Sequence, residues 1–137
     1  MQIALKHSNT HWIDCEGFKL KIDYPDFSQQ EKLEELYYSA WGNAVIDEAG
    51  GINKRELNIA KYLKYKRYYL KYTLKDWEGI AEDGKEIKFL LDGNEMQTEQ
   101  WQQIFSDPLL TTKFFDIIEP ETQWTVADKK KLNSPES

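Results

Sequence analysis

The run "GFKLKIDYP" alternates. Phe18, Leu20, Ile22 and Tyr24 fall on one side of an extended chain, and Lys19, Lys21 and Asp23 on the other. Period two predicts a half-buried strand over 18–24, opened by Gly17 and closed by Pro25. "IALKHSNTHWIDC" is read as a preceding strand or edge. The period then changes. Leu33, Leu36, Tyr37, Ala40 and Trp41 recur at helical spacing, Ser28 and Glu31 form a capping box ahead of them, and Gly42 stops the run. Leu36 and Trp41 are expected inside, against a sheet face made by Leu20, Ile22, Leu70 and Tyr72.

Beyond a connection at "NAVIDEAGGIN", Asn53 and Glu56 suggest a second N-cap and a helix over about 54–65, with Leu57, Ala60 and Leu63 inward. "KRYYLKYTLK" alternates again and predicts a strand over 67–75, with Tyr68, Leu70, Tyr72 and Leu74 on one face. "KEIKFLL" predicts a third over 85–91, with Ile87, Phe89 and Leu91 inward. A helix near 97–106 carries Trp101, Ile104 and Phe105. Asp107 and Pro108 read as an N-cap and a first helical residue. The helix they open carries Leu110, Phe114, Ile117 and Ile118, and Pro120 is expected to end it. Residues 121–137 are expected to be a flexible tail after one α+β domain over 1–120. The fold class is therefore α+β: a small, mostly antiparallel sheet of about three strands with packed amphipathic helices.

The stretch "KDWEGIAEDGKE" holds a tryptophan, two glycines and five acidic residues. A calcium loop of the EF-hand kind needs oxygen ligands at its first, third and fifth positions and glycine at its sixth. Counted from Asp76, the third is Glu78, but the fifth is Ile80 and the sixth Ala81. A hairpin fits better. Asp83-Gly84 is a favoured two-residue turn that sets Ile80 opposite Ile87. That register would leave Asp76 and Glu78 on the apolar face, so the strand must bulge or bend before Gly79, with Trp77 packed beneath.

Other chemistry is sparse. His7, His11 and Cys15 are spaced four apart, but their surroundings do not read as helical and no fourth zinc ligand stands at a usual spacing. Gly50-Gly51 lacks the Lys-Ser/Thr of a phosphate loop, and no G-x-S-x-G occurs. No catalytic residue, metal or cofactor is expected. One segment, 54–72, gathers seven of the eighteen Lys and Arg and five of the eight Tyr. Basic residues interleaved with aromatics can bind single-stranded nucleic acid. The apolar periodicity already places most of these tyrosines in a core, and the chain's net charge of −6 opposes phosphate binding. The single cysteine suits a reducing compartment, no signal peptide is visible, and no apolar stretch approaches the ~20 residues of a membrane span. A cytoplasmic protein is expected, with neither nucleic acid nor membrane as partner.

The order of these pieces resembles the small accessory proteins of tailed-phage and prophage morphogenesis clusters, in particular tail-assembly chaperones. Members often carry a W-x-G-[IV]-x-[DE]-x-G turn in mid-chain and an amphipathic helical C-terminal part. Trp77, Gly79, Ile80, Glu82 and Gly84 stand in that pattern, and the resemblance spans about residues 17–131. It implies a non-enzymatic protein of the host cytoplasm that binds the tape-measure or tail-tube protein. The alternative is a virion structural or adaptor protein of the tail or neck. A small enzyme or a nucleic-acid binder is the reading from another class. Because a three-stranded sheet has one face to offer, part of the C-terminal helical pair should remain exposed as an interaction surface. Trp101, Phe105, Phe114, Phe115 and Ile118 are its expected contacts, with a phage tail protein or a second copy of the chain.

Overall fold

The computed structural model describes residues 9–42, 44–46 and 52–124. The alternating run forms β2 (Phe18–Ile22), and the segment before it forms β1 (His11–Cys15), joined to it by a turn in which Gly17 takes a φ of +87°. Leu20 and Ile22 are fully buried, while Trp12 and Lys21 face each other across the pair with the ammonium 6.0 Å from the indole centroid. Asp23 ends the strand. Its buried carboxylate accepts from the backbone N–H groups of Asn9 and Tyr24 and from the Thr10 hydroxyl, at 2.7–2.8 Å.

Helix α1 (Phe27–Trp41) begins one box earlier than expected. Asp26 is the N-cap, accepting from Gln29 N at 2.8 Å while Gln29 Oε1 accepts from Asp26 N at 2.9 Å. Pro25 holds the chain extended up to Asp26, and helix formation begins at the next residue, leaving Ser28 inside the helix. Leu33, Leu36 and Ala40 are buried, Trp41 is half-buried, and Gly42 closes the helix with a φ of +62°. A short antiparallel pair, β3 (Ala44–Ile46) and β4 (Ile52–Arg55), follows.

The largest departure from expectation is α2 (Ile59–Thr73). Asn53 lies in β4, and the N-cap is Asn58, whose side chain accepts from Lys61 N at 3.0 Å. The helix then runs through the stretch expected to be a strand over 67–75. Tyr65, Tyr69 and Tyr72 recur at helical spacing and are buried, and so are Leu70 and Thr73. The alternation of Tyr68, Leu70, Tyr72 and Leu74 arises because α2 is covered on several sides at once. A helix with apolar residues around most of its circumference fits a period of two as easily as one of 3.6. Only at Leu74 does the chain extend, into β5 (Leu74–Glu78), which pairs antiparallel with β2 and leaves Lys75 as an extra residue between two registers.

The sheet is thus β1-β2-β5, antiparallel throughout, and the α+β class holds with four helices and three main strands among the described residues. Its strands are 11–15, 18–22 and 74–78 instead of 18–24, 67–75 and 85–91. A two-residue hairpin follows, β6 (Ala81–Glu82) and β7 (Lys85–Glu86), and a second, β8 (Leu91–Asp92) and β9 (Glu95–Met96). Of "KEIKFLL", Lys85–Glu86 pair in β7 and Leu91 in β8, but residues 87–90 between them do not pair as a strand, and side chains take several of their backbone groups. Gln100 donates to Lys88 O at 2.7 Å and accepts from Leu90 N at 2.8 Å, and Trp77 Nε1 donates to Ile87 O at 2.7 Å. Ile87 and Phe89 pack against the core, whereas Leu91 is exposed.

Helices α3 (Thr98–Ile104) and α4 (Pro108–Thr122) cover the far side of α2. Trp101 Nε1 donates to Arg67 O at 2.6 Å, and Arg67 returns a bond to Phe105 O, which ties α3 to α2. Asp107 caps α4 as expected, but Pro120 does not end it. The carbonyl that a residue-120 amide would have met belongs to Asp116, an exposed residue, so its loss of an intrahelical partner does not fall in the core and the last turn survives the proline. The expected tail therefore begins too early. Thr122 is buried with its hydroxyl 2.9 Å from Tyr69 Oη, and Trp124 is buried with Nε1 donating to Pro25 O at 3.0 Å. The remainder of that tail, 125–137, lies outside the described residues.

Candidate functional site

The Trp77–Gly84 turn is built as the sequence suggests. Asp83 and Gly84 take φ values of +51° and +76°, the paired left-handed residues of a type I′ hairpin, and Ile87 N donates to Ile80 O at 2.9 Å. The bend falls at Gly79, with a φ of +81°. A Cβ there would stand 2.8 Å from Gly17 O and 3.2 Å from Phe18 Cα, so both the backbone conformation and the close approach to the β1–β2 turn call for glycine. Trp77 lies buried beneath, edge-on to Phe89 at 4.9 Å. Asp76 and Glu78, the strand's acidic residues, do not enter the core: Asp76 accepts from Trp77 N at 2.7 Å and Glu78 is exposed.

This turn forms one wall of an open cleft of about 620 Å³. It is lined by Phe18 of β2, by Trp77, Ile80 and Ile87, and by Ile104 of α3 and Leu110 and Phe114 of α4. Glu82, Asp107, Gln103 and Lys113 edge the opening. An apolar floor with a polar rim is the usual anatomy of a surface that seats another protein's side chains.

The five residues expected to contact a partner are placed differently. Trp101, Phe105, Phe114, Phe115 and Ile118 are all buried, and Phe105 and Ile118 are wholly enclosed. Phe115 packs edge-on against Tyr65 and Tyr69 at 5.7 and 5.3 Å, Trp101 against Tyr68 at 5.0 Å, and Phe114 against Phe105 at 5.4 Å. A partner meeting this conformation cannot reach most of them; Phe114 alone also lines the cleft. The half-buried Ile80, Ile87, Ile104 and Leu110 are the reachable apolar groups there. The sequence had set Ile80 opposite Ile87 in the hairpin, turned Ile87 inward and put Ile104 and Leu110 on the C-terminal helical pair, part of which was expected to stay exposed, but singled out none of the four as a contact.

The remaining candidate chemistry is dispersed. His11 and Cys15 sit at opposite ends of β1, where four residues of extended chain separate them by about 13 Å, and His7 lies outside the described residues. Burial and then Asp14 raise the Cys15 pKa, with Lys113 opposing, so the thiol is held protonated at neutral pH. Burial lowers the Lys75 pKa against the pull of Asp23, Glu95 and Asp26, but its Nζ is engaged by the carbonyls of Tyr72 and Asn94 and acts as a tie between α2 and the β8–β9 turn. Among the described residues no group of three or more His, Cys, Asp or Glu is placed to hold a metal ion.

The tyrosines of 54–72 are largely interior, and this gives the protein a predictable alkaline limit. Burial first, then neighbouring acidic and tyrosine groups, raise the pKa of Tyr72 to about 12, and burial pushes Tyr65 and Tyr69 further up. Unfolded tyrosine ionises near pH 10. A folded pKa raised above that value gives stability that is complete below about pH 10 and is lost as the pH climbs toward the folded value. Absorbance titration at 295 nm should show Tyr65, Tyr69 and Tyr72 ionising together with loss of near-ultraviolet circular dichroism. Ionisation of all eight tyrosines near pH 10 with the fold intact would contradict this burial.

The fold is α+β, with four helices and a three-stranded antiparallel sheet among the described residues. No family model matches the chain, no curated protein matches its sequence and no solved structure matches its fold. No helix among the described residues is long and apolar enough to cross a membrane.

Proposed function

We propose that the chain is a non-enzymatic protein-binding factor in phage tail morphogenesis, acting in the host cytoplasm on the tape-measure or tail-tube protein as tail-assembly chaperones do. The observation that carries this reading is the placement of the W-x-G-I-x-E-x-G turn. Trp77, Gly79, Ile80 and Glu82, four of the five residues of the resemblance, line the cleft itself. The turn thus does more than reverse the chain: it supplies one wall of an apolar surface whose opposite wall is the C-terminal helical pair. A partner's apolar segment laid between them would bury Ile80, Ile87, Ile104 and Leu110, with Lys113 and Glu82 available to fix its orientation.

The test uses the tagged full-length chain expressed alongside the tail genes of the phage that encodes it. The tape-measure or tail-tube protein should co-purify before assembly, and the chain should be absent from purified particles. Stoichiometric presence in particles would make it a virion component instead. Capture of neither protein would end the tail-assembly reading.

A further inference from the structure

A second cleft, of about 270 Å³, opens where α1, α2 and the end of α4 meet. Its walls are tyrosine rings, Tyr37, Tyr38, Tyr62, Tyr65 and Tyr69, closed by Trp124. Tyr62 and Tyr65 stack 5.8 Å apart and within 8° of parallel, and Tyr37 stands edge-on to both, at 6.4 and 5.3 Å. Among the described residues the charged groups that line it are Glu34 and Glu119, with no Lys or Arg. The Glu119 carboxyl is half-buried and its pKa is raised, first by desolvation and then by Asp116, with Lys66 opposing. A carboxylate kept from water beside aromatic faces favours a cation over any neutral guest. The cluster already holds one cation at its edge: Lys66 Nζ stands 4.8 Å from the Tyr62 ring centroid and 5.3 Å from that of Phe115.

We propose that this aromatic cleft is a receptor for a single cationic side chain, an arginine or lysine presented by a partner protein. The exposed rings of Tyr37 and Tyr38 supply the quadrupole attraction and Glu119 the counter-charge. The long aliphatic stem of such a side chain matches a narrow cleft with Leu33 in its wall. Tyr38, 60% exposed, stands at the opening where a guest would first meet it. This site is distinct from the cleft of the Trp77–Gly84 turn and does not depend on the tail-assembly reading.

The test titrates the full-length chain with three blocked tripeptides, acetyl-Gly-Arg-Gly-amide, its Lys counterpart and its Gln counterpart, followed by amide chemical shifts in low salt. The Arg and Lys peptides should bind at least fivefold more tightly than the Gln peptide and shift the resonances of Tyr38, Glu119 and Gln123. Glu119→Gln and Tyr38→Ser should each weaken the Arg peptide at least threefold while leaving the melting temperature within about two degrees. Equal binding of the three peptides, or an unchanged affinity in Glu119→Gln, would overturn the proposal. So would Arg binding that emerges only after Lys129, Lys130 and Lys131 are replaced by Gln, because the chain's own C-terminal segment would then be the guest. Variants of Ile80 and Leu110 should leave peptide binding unaltered, so this result and the tail-protein result can fail separately.

Discussion

Replacing Gly79 by valine should destabilise the protein by about 2–4 kcal/mol, a drop of roughly 10 °C in melting temperature for a domain of this size. Two costs combine. The φ of +81° is a conformation that a β-branched residue adopts only under strain, and the new Cβ would press to 2.8 Å from a backbone oxygen, Gly17 O, which has no flexible side chain to give way. Gly84 provides the control. Its φ of +76° lies in the same region, but nothing stands within 4 Å of a Cβ there, and asparagine tolerates this conformation. Gly84→Asn should therefore cost under about 1 kcal/mol. Equal losses at the two positions would mean that the close approach of the hairpin to the β1–β2 turn carries no weight.

Phe105→Ala should cost about 3–5 kcal/mol. The ring is wholly enclosed, edge-on to Phe114 at 5.4 Å, and its removal leaves a cavity between α3, α4 and the sheet that rigid backbone cannot close. For a domain whose whole stability is on the order of 5–15 kcal/mol, this variant stands near the limit of folding. Leu109→Ala, four positions on, should change stability by less than about 0.5 kcal/mol, because Leu109 is 83% exposed. Urea melts of the two variants separate core from surface on the C-terminal helical pair. A loss below about 1 kcal/mol for Phe105→Ala would place that ring at the surface, as the sequence alone suggests.

The contrast between Phe105 and Leu109 shows where sequence reading succeeded and failed. The strand Phe18–Ile22, the helix ending at Gly42, the Asp83-Gly84 turn, the bend at Gly79 and the Asp107 cap all follow from local rules, and each is present. The Ser28 and Asn53 caps, the strand over 85–91, the stop at Pro120 and the tail from 121 each departed from the structure, but the error that misplaced the core lay in 59–73. Read in part as a strand, that segment leaves one sheet face to cover two C-terminal helices, so their large side chains seem surplus. As a helix it presents Tyr65 and Tyr69 to Phe115, and Tyr68 to Trp101, and the surplus disappears. Periodicity failed because α2, packed against α1 on one side and α3 and α4 on the other, is apolar over much of its circumference. Tyr68, Leu70, Tyr72 and Leu74 therefore alternate in sequence even though Lys61, Lys64, Arg67 and Lys71 mark a polar stripe at helical spacing. The same enclosure hid the cleft. Its wall residues, Ile80 and Leu110, are brought together only after the hairpin and α4 dock on a core that no local pattern specifies.

The assignment of the cleft as a partner's seat is tested most directly by the affinity of the purified chain for its proposed partner, the tape-measure or tail-tube protein. The double variant Ile80→Gln with Leu110→Gln changes two half-buried wall residues and leaves the enclosed core untouched. It should weaken binding by at least tenfold in calorimetric titration, while a conservative surface change, Leu90→Gln, leaves the affinity unaltered. Full affinity in the Ile80/Leu110 variant, with its fold intact by circular dichroism, would contradict the assignment of the cleft as the partner's seat.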